Sequence, residues 1–175
     1  LALALMIVHS ALMPAFVEEF AFRGILLQPL RAWGDWFAII VSAVLFGMMH
    51  ANMTQMPFAI IAGVALGFAT VVTGSLWTSI CIHFLNNLAS VVYAVLLASP
   101  YEGYAWIFSS GITYGSIAIG AVAVFLYASK NPSGFNLRAG EHPRLKGRTA
   151  FYFLTPTMLI AILLLVLITL KDIII

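Results

Sequence analysis

No charged residue stands between Asp35 and Glu102. Charges are also missing from Leu1 to Val17, from Gly103 to Ser129 and from Thr149 to Leu170. Such stretches cannot present a solvated face to water, and each approaches or exceeds the ~20 apolar residues that a helix needs to cross ~30 Å of hydrocarbon. The whole chain follows the same pattern: 63% of its residues are apolar, 8% are charged, and the mean hydropathy is +1.07. A soluble domain carries about 25% charged residues. Too little polar surface is available here to coat a water-soluble globule. This excludes a soluble cytoplasmic enzyme, a disordered chain and a nucleic-acid binder. A single cysteine, Cys81, excludes a disulfide framework and a multi-cysteine metal site.

Turn residues divide the apolar stretches into six expected spans. They run from about Leu1 to Leu30, Trp36 to His50, Phe58 to Thr73, Leu76 to Ala98, Ile107 to Tyr127 and Ala150 to Leu170. The second is short for a span, and the first contains Pro14, which frees a backbone carbonyl and favours a kink. The short dyad alternation of β-barrel strands is missing. The expected fold class is therefore all-α: a polytopic transmembrane helix bundle forming one domain over residues 1–175, with its motif-bearing core at about 14–98. The connection from Ser129 to Arg148 carries Lys130, Arg138, Arg144, Lys146 and Arg148 against Glu141 alone. Short loops rich in Lys and Arg stay cytoplasmic, so the basic loop at about 129–149 belongs inside. The Arg31–Asp35 and Gly74–Ser75 turns follow it, and the His50–Pro57 and Ser99–Tyr104 connections fall outside. The expectation is a multi-pass integral protein of a bacterial or archaeal cell membrane, with lipid as one partner and no nucleic acid.

Ionisable groups within a span cost about 2.5–3.5 kcal/mol each at the centre on insertion scales, and they usually serve function. Here they are Glu18, Glu19, Arg23, His50 and His83, with Asn87 as a further amide. Glu19 and Arg23 stand four apart with the acid on the N-terminal side, the favourable order for a helical ion pair. Glu18 lies about 100° away around an α-helix and has no such intrahelical partner. The spacing thus reads Glu19–Arg23 as structural and Glu18 as chemical; the alternative is one buried ionic network that only locks packing. Phe46 and His50, and likewise His83 and Asn87, are four apart, so each pair shares a helix face. At a rise of ~1.5 Å per residue, Glu18 lies about 18 Å, His50 about 21 Å and His83 about 10 Å from the inner ends of their spans. The Gly63-x-x-x-Gly67 and Gly111-x-x-x-Gly115 pairs read as close helix packing. His9 reads as packed or interfacial and His142 as solvated.

Three motifs stand in order: Glu18-Glu19-Phe20-Ala21-Phe22-Arg23, Phe46-Gly47-Met48-Met49-His50 and His83-Phe84-Leu85-Asn86-Asn87. Together with Gly74-Ser75-Leu76-Trp77, this set resembles the CAAX-protease and bacteriocin-processing family of membrane proteins, also called Abi, which includes the type II CAAX prenyl endopeptidases. The resemblance covers about Val17 to Ala89. It implies an intramembrane endopeptidase acting on a membrane-associated peptide or protein, such as a CAAX-type tail or a bacteriocin leader. It makes Glu18 and His50 the pair that activates water, His83 and Asn87 the oxyanion donors, and Glu19, Arg23 and Phe46 the support of the site. With water as fourth ligand, Glu18, His50 and His83 would alternatively make a His-His-Glu zinc site, although the His-Glu-x-x-His motif of soluble zinc proteases is absent. The reading taken is metal-independent chemistry without a cofactor. Two other functions compete: a non-proteolytic immunity or scaffold protein of the same family, and a proton-coupled transporter. Transporters often carry paired repeats, whereas buried ionisable groups occur only in the first half of this chain.

Overall fold

A computed structural model describes residues 1–131, 137–140, 154–156, 158–160 and 162–163. Its described residues are overwhelmingly helical, with one isolated bridge, Gly34 to Ala139, in place of any strand. Among the described residues, four helices are long and apolar enough to cross a membrane: α1 (Ala2–Trp33), α3 (Met56–Thr73), α4 (Leu76–Leu97) and α5, whose span Glu102–Lys130 opens with a 3-10 turn before the helix Ala105–Lys130. Between α1 and α3 lies α2 (Asp35–Met49), an apolar helix of 15 residues. At ~1.5 Å per residue it covers only about 22 Å. Most of the expected sixth span and most of the basic loop lie outside the described residues. The all-α, multi-pass membrane class follows from these helices.

Helix boundaries follow local chemistry. Pro57 sits in the first turn of α3, where its missing N–H costs nothing. Gly74 ends α3 in the left-handed conformation at φ 66°, its N–H bonded to the Thr70 carbonyl. The apolar run does not carry α2 through His50, as the sequence pattern suggested. The helix stops at Met49, His50 becomes its cap, and Ala51 turns the chain out at φ 50°.

The expected kink at Pro14 takes another form. The backbone widens into π-helical turns over Val8–Leu12, with the Met13 N–H reaching back to the Val8 carbonyl. A wide turn just before Pro14 is one of the adjustments by which membrane helices absorb a proline. A second π-helical stretch, Phe20–Leu26, follows Glu19, and there the Leu27 N–H bonds to the Phe22 carbonyl. That shift takes Leu27 away from the Arg23 carbonyl, and the Gln28 side-chain amide donates to it instead at 2.9 Å.

The described chain divides into two compact units. One comprises Leu1–Val17 and Ile80–Leu137. Its buried apolar residues are few, Ala11, Ala15, Ile80, Val91 and Ala105, and α5 shows a largely exposed apolar surface of the kind that faces lipid. A Cβ on Gly111 or Gly115 would meet no heavy atom beyond its own helix within 4 Å among the described residues. His9 and Cys81 are exposed.

The other unit comprises Glu18–Ser79 and Arg138–Ile175. Its core joins Leu27 of α1 and Phe37, Ile39, Val41 and Phe46 of α2 with Leu66 of α3. Here the Gly63 pair does serve close packing: a Cβ on Gly63 would lie 3.0 Å from both Cα and Cβ of Ala43. At the α1–α2 turn, the buried Asp35 carboxylate accepts from Arg31 Nε at 2.7 Å and from the Arg138 N–H at 3.0 Å. The Asp35 N–H returns a bond to the Arg138 carbonyl at 3.1 Å. The Arg31–Asp35 turn and the segment around Arg138 therefore lie at the same end of this unit.

Candidate active site

Glu19 and Arg23 are both fully buried. Arg23 Nη1 donates to Glu19 Oε1 at 2.9 Å, the i,i+4 ion pair that the order of charges favours. Its other arm leaves the helix: Nη2 donates to the Gly63 carbonyl on α3 at 3.1 Å. A guanidinium carries its donors in a fixed planar fork, so Arg23 ties α1 to α3 while neutralising Glu19.

Glu18 is half-buried, with its Oε2 atom inside. Glu19 holds the direct hydrogen bond to Arg23, and Glu18 stands beside it, just before the π-helical stretch.

The Phe46 ring lies between the ion pair and His50. Arg23 sits 4.4 Å from the ring centroid, a cation–π distance. The His50 ring meets the same phenyl edge-on, with centroids 5.0 Å apart at 77°. Phe22 packs on it from α1 at 5.3 Å and 80°. Phe46 is thereby enclosed by α1 and by the histidine that ends its own helix.

His50 Nδ1 lies 2.9 Å from the Phe46 carbonyl oxygen. A carbonyl only accepts, so Nδ1 carries the hydrogen in this contact. In the neutral ring Nε2 then holds the lone pair. The bond also satisfies one of the four carbonyls left over at the end of α2. One interaction thus caps the helix, fixes the tautomer and orients Nε2 as an acceptor. Such a nitrogen can take a proton from water.

His83 and Asn87 belong to the first unit. His83 is buried, and Asn87, one turn later on α4, is half-buried. Their spacing puts them on one helix face. Asn86 Nδ2 donates to Asn87 Oδ1 at 3.4 Å, which uses the Asn87 oxygen and leaves its Nδ2 as the donor. Of the residues expected at the site, Glu18, Glu19, Arg23, Phe46 and His50 belong to one unit, and His83 and Asn87 to the other. Among the described residues, no group of three or more His, Cys, Asp or Glu side chains is placed to hold a metal ion. The sequence reading missed the Gly63 carbonyl as a partner of Arg23, because a backbone acceptor leaves no mark in residue type.

Comparison with known proteins identifies the family. Residues 1–89, just over half of the chain, match the family described as type II CAAX prenyl endopeptidase Rce1-like. The chain belongs to that family of membrane proteins. It is also 29% identical over 92 residues to a Bacillus subtilis (strain 168) protein named "Putative membrane peptidase YdiL". That match covers 52% of this chain and 38% of the relative's own length. No solved structure matches the chain.

Proposed function

We propose that the protein is an intramembrane endopeptidase that hydrolyses a peptide bond in a membrane-associated protein or peptide, such as a CAAX-type tail or a bacteriocin leader. The observation that carries this reading is the His50–Phe46 hydrogen bond, which leaves Nε2 as the accepting nitrogen of a partly buried ring. Glu18, with its carboxylate oxygen inside the same unit, is the second acceptor. Family membership and the peptidase relative support the same reaction class.

In this reading a water molecule donates its hydrogens to Glu18 and His50 Nε2. Its oxygen attacks the carbonyl carbon of the scissile bond, and one proton passes to the enzyme pair. The carbonyl electrons move onto oxygen, where His83 and Asn87 donate to the resulting oxyanion; one such donor is typically worth about 2.7–4 kcal/mol. The intermediate collapses with cleavage of the C–N bond, and the stored proton goes to the departing amine. The products are one carboxylate and one amine. Glu19, Arg23 and Phe46 hold His50 and the Glu18 segment in register. The chemistry proposed needs no metal. The zinc alternative would need Glu18, His50 and His83 to converge on one point at about 2.0–2.2 Å each.

The test is a comparison of membrane peptides from cells carrying the active protein and its Glu18→Gln variant. The proposal expects one or more peptides to be cut only with the active protein. Identical peptide patterns, with a phenotype retained by Glu18→Gln, would favour a non-proteolytic immunity or scaffold protein.

A further inference from the structure

We infer that Gly63 is a positioning residue for His50, acting through Arg23 and Phe46; this rests on the reading of His50 as one of the water-activating pair. Two properties of Gly63 meet at one place. Its carbonyl accepts from Arg23 Nη2 at 3.1 Å. Its bare Cα lets α3 approach the α2 backbone, since a Cβ would stand 3.0 Å from Ala43 Cα and Cβ and 3.3 Å from the Ala43 carbonyl oxygen. Backbone atoms cannot swing aside as a flexible side chain can. Gly67, one turn on, differs: a Cβ there meets only the Ile39 and Leu27 side chains at 3.4 Å, which is ordinary contact.

The separation of α2 and α3 at Gly63 therefore sets where the carbonyl meets Arg23. Arg23 in turn lies over the Phe46 ring, and that ring packs edge-on against His50. The Phe46 carbonyl is the acceptor that fixes the His50 tautomer. Moving α3 outward withdraws the carbonyl from Arg23, releases the guanidinium from Phe46 and loosens the ring against which His50 is set. Gly63 touches no reacting atom; its effect on His50 passes through Arg23 and Phe46.

The experiment reads His50 directly. The full chain, labelled with 15N-histidine in lipid nanodiscs, contains four histidines, and His50→Gln identifies the signal of interest. The wild-type protein should show a single neutral tautomer with Nδ1 protonated. Gly67→Ala should leave that signal in place, whereas Gly63→Ala should lose the single-tautomer signature, and Ala43→Gly added to Gly63→Ala should restore part of it. Arg23→Lys, which keeps the charge beside Glu19 but lacks the fork reaching Gly63, should reproduce the loss and serves if Gly63→Ala does not fold. A wild-type-like His50 signal in the folded variants, or a wild-type His50 without a protonated Nδ1, would overturn the inference. The spectrum does not depend on proteolysis. An unchanged peptide pattern with Glu18→Gln would remove the protease reading and leave the positioning result standing.

Discussion

Arg23 holds the Glu19 carboxylate at 2.9 Å with one arm and lies over the Phe46 ring, 4.4 Å from its centroid. The same ring bears on His50. Replacing Phe46 with Leu keeps an apolar side chain but removes the π-face that Arg23 and His50 share. Cation–π and aromatic contacts of this kind contribute about 1–2 kcal/mol when desolvated. Phe46→Leu should lose about that much in thermal unfolding in detergent. It should also lose turnover, whereas Ile40→Leu, at an exposed position on the same helix, should change neither.

Glu18 and Glu19 should separate by mutation. Glu19→Gln leaves the Arg23 charge without its hydrogen-bonded carboxylate in a fully buried site. Breaking a buried pair costs about 3–5 kcal/mol, so yield and unfolding temperature should fall. Glu18→Gln leaves the Glu19–Arg23 hydrogen bond in place. It should insert and purify normally and lack turnover. Equal losses of stability in the two variants would contradict the assigned roles.

The order of these charges made the ion pair legible in the sequence, and the Gly63 spacing made the close approach of α3 legible. The π-helical stretch over Phe20–Leu26 was not, because its i→i+5 bonds leave no periodic signal in residue type. The end of α2 at Met49 was hidden because the apolar run continues to its last residue. The Asp35–Arg138 contact joins residues 103 apart in sequence, and no local pattern announces such a pairing.

That contact gives a topological prediction. Gly34 and Ala139 lie across one bridge, so both belong on the same side of the membrane, and the basic residues from Lys130 to Arg148 predict that this side is the cytoplasmic one. In a chain carrying Cys81→Ser, cysteines introduced at Ala32 or Ala139 should both be labelled only after the membrane is permeabilised. A cysteine at Thr54 should be labelled in intact cells. Labelling of Ala32 and Ala139 from opposite sides would contradict the structure; labelling of both from outside would invert the orientation alone.

An oxyanion role for Asn87 has a kinetic signature. Loss of one such donor typically lowers turnover by about 10²–10³-fold. Asn87→Ala should do so with little change in KM or stability, since Asn87 is half-buried and makes only a long contact with Asn86. A zinc enzyme would respond differently, because Asn is not a usual zinc ligand. Elemental analysis of active protein should find no stoichiometric metal. One zinc per chain, removed by chelator together with activity and restored by zinc, would replace the metal-free account.

The central claim is that water activated at Glu18 cuts a peptide bond within the membrane. A peptide found to depend on the protein in cells can be incubated with the purified chain in liposomes prepared in 18O-labelled water. The wild-type protein should place one 18O in the new C-terminal carboxylate. Glu18→Gln should give no cleavage while its His50 ring retains the wild-type tautomer. Cleavage by Glu18→Gln at a rate near that of the wild-type protein would contradict it.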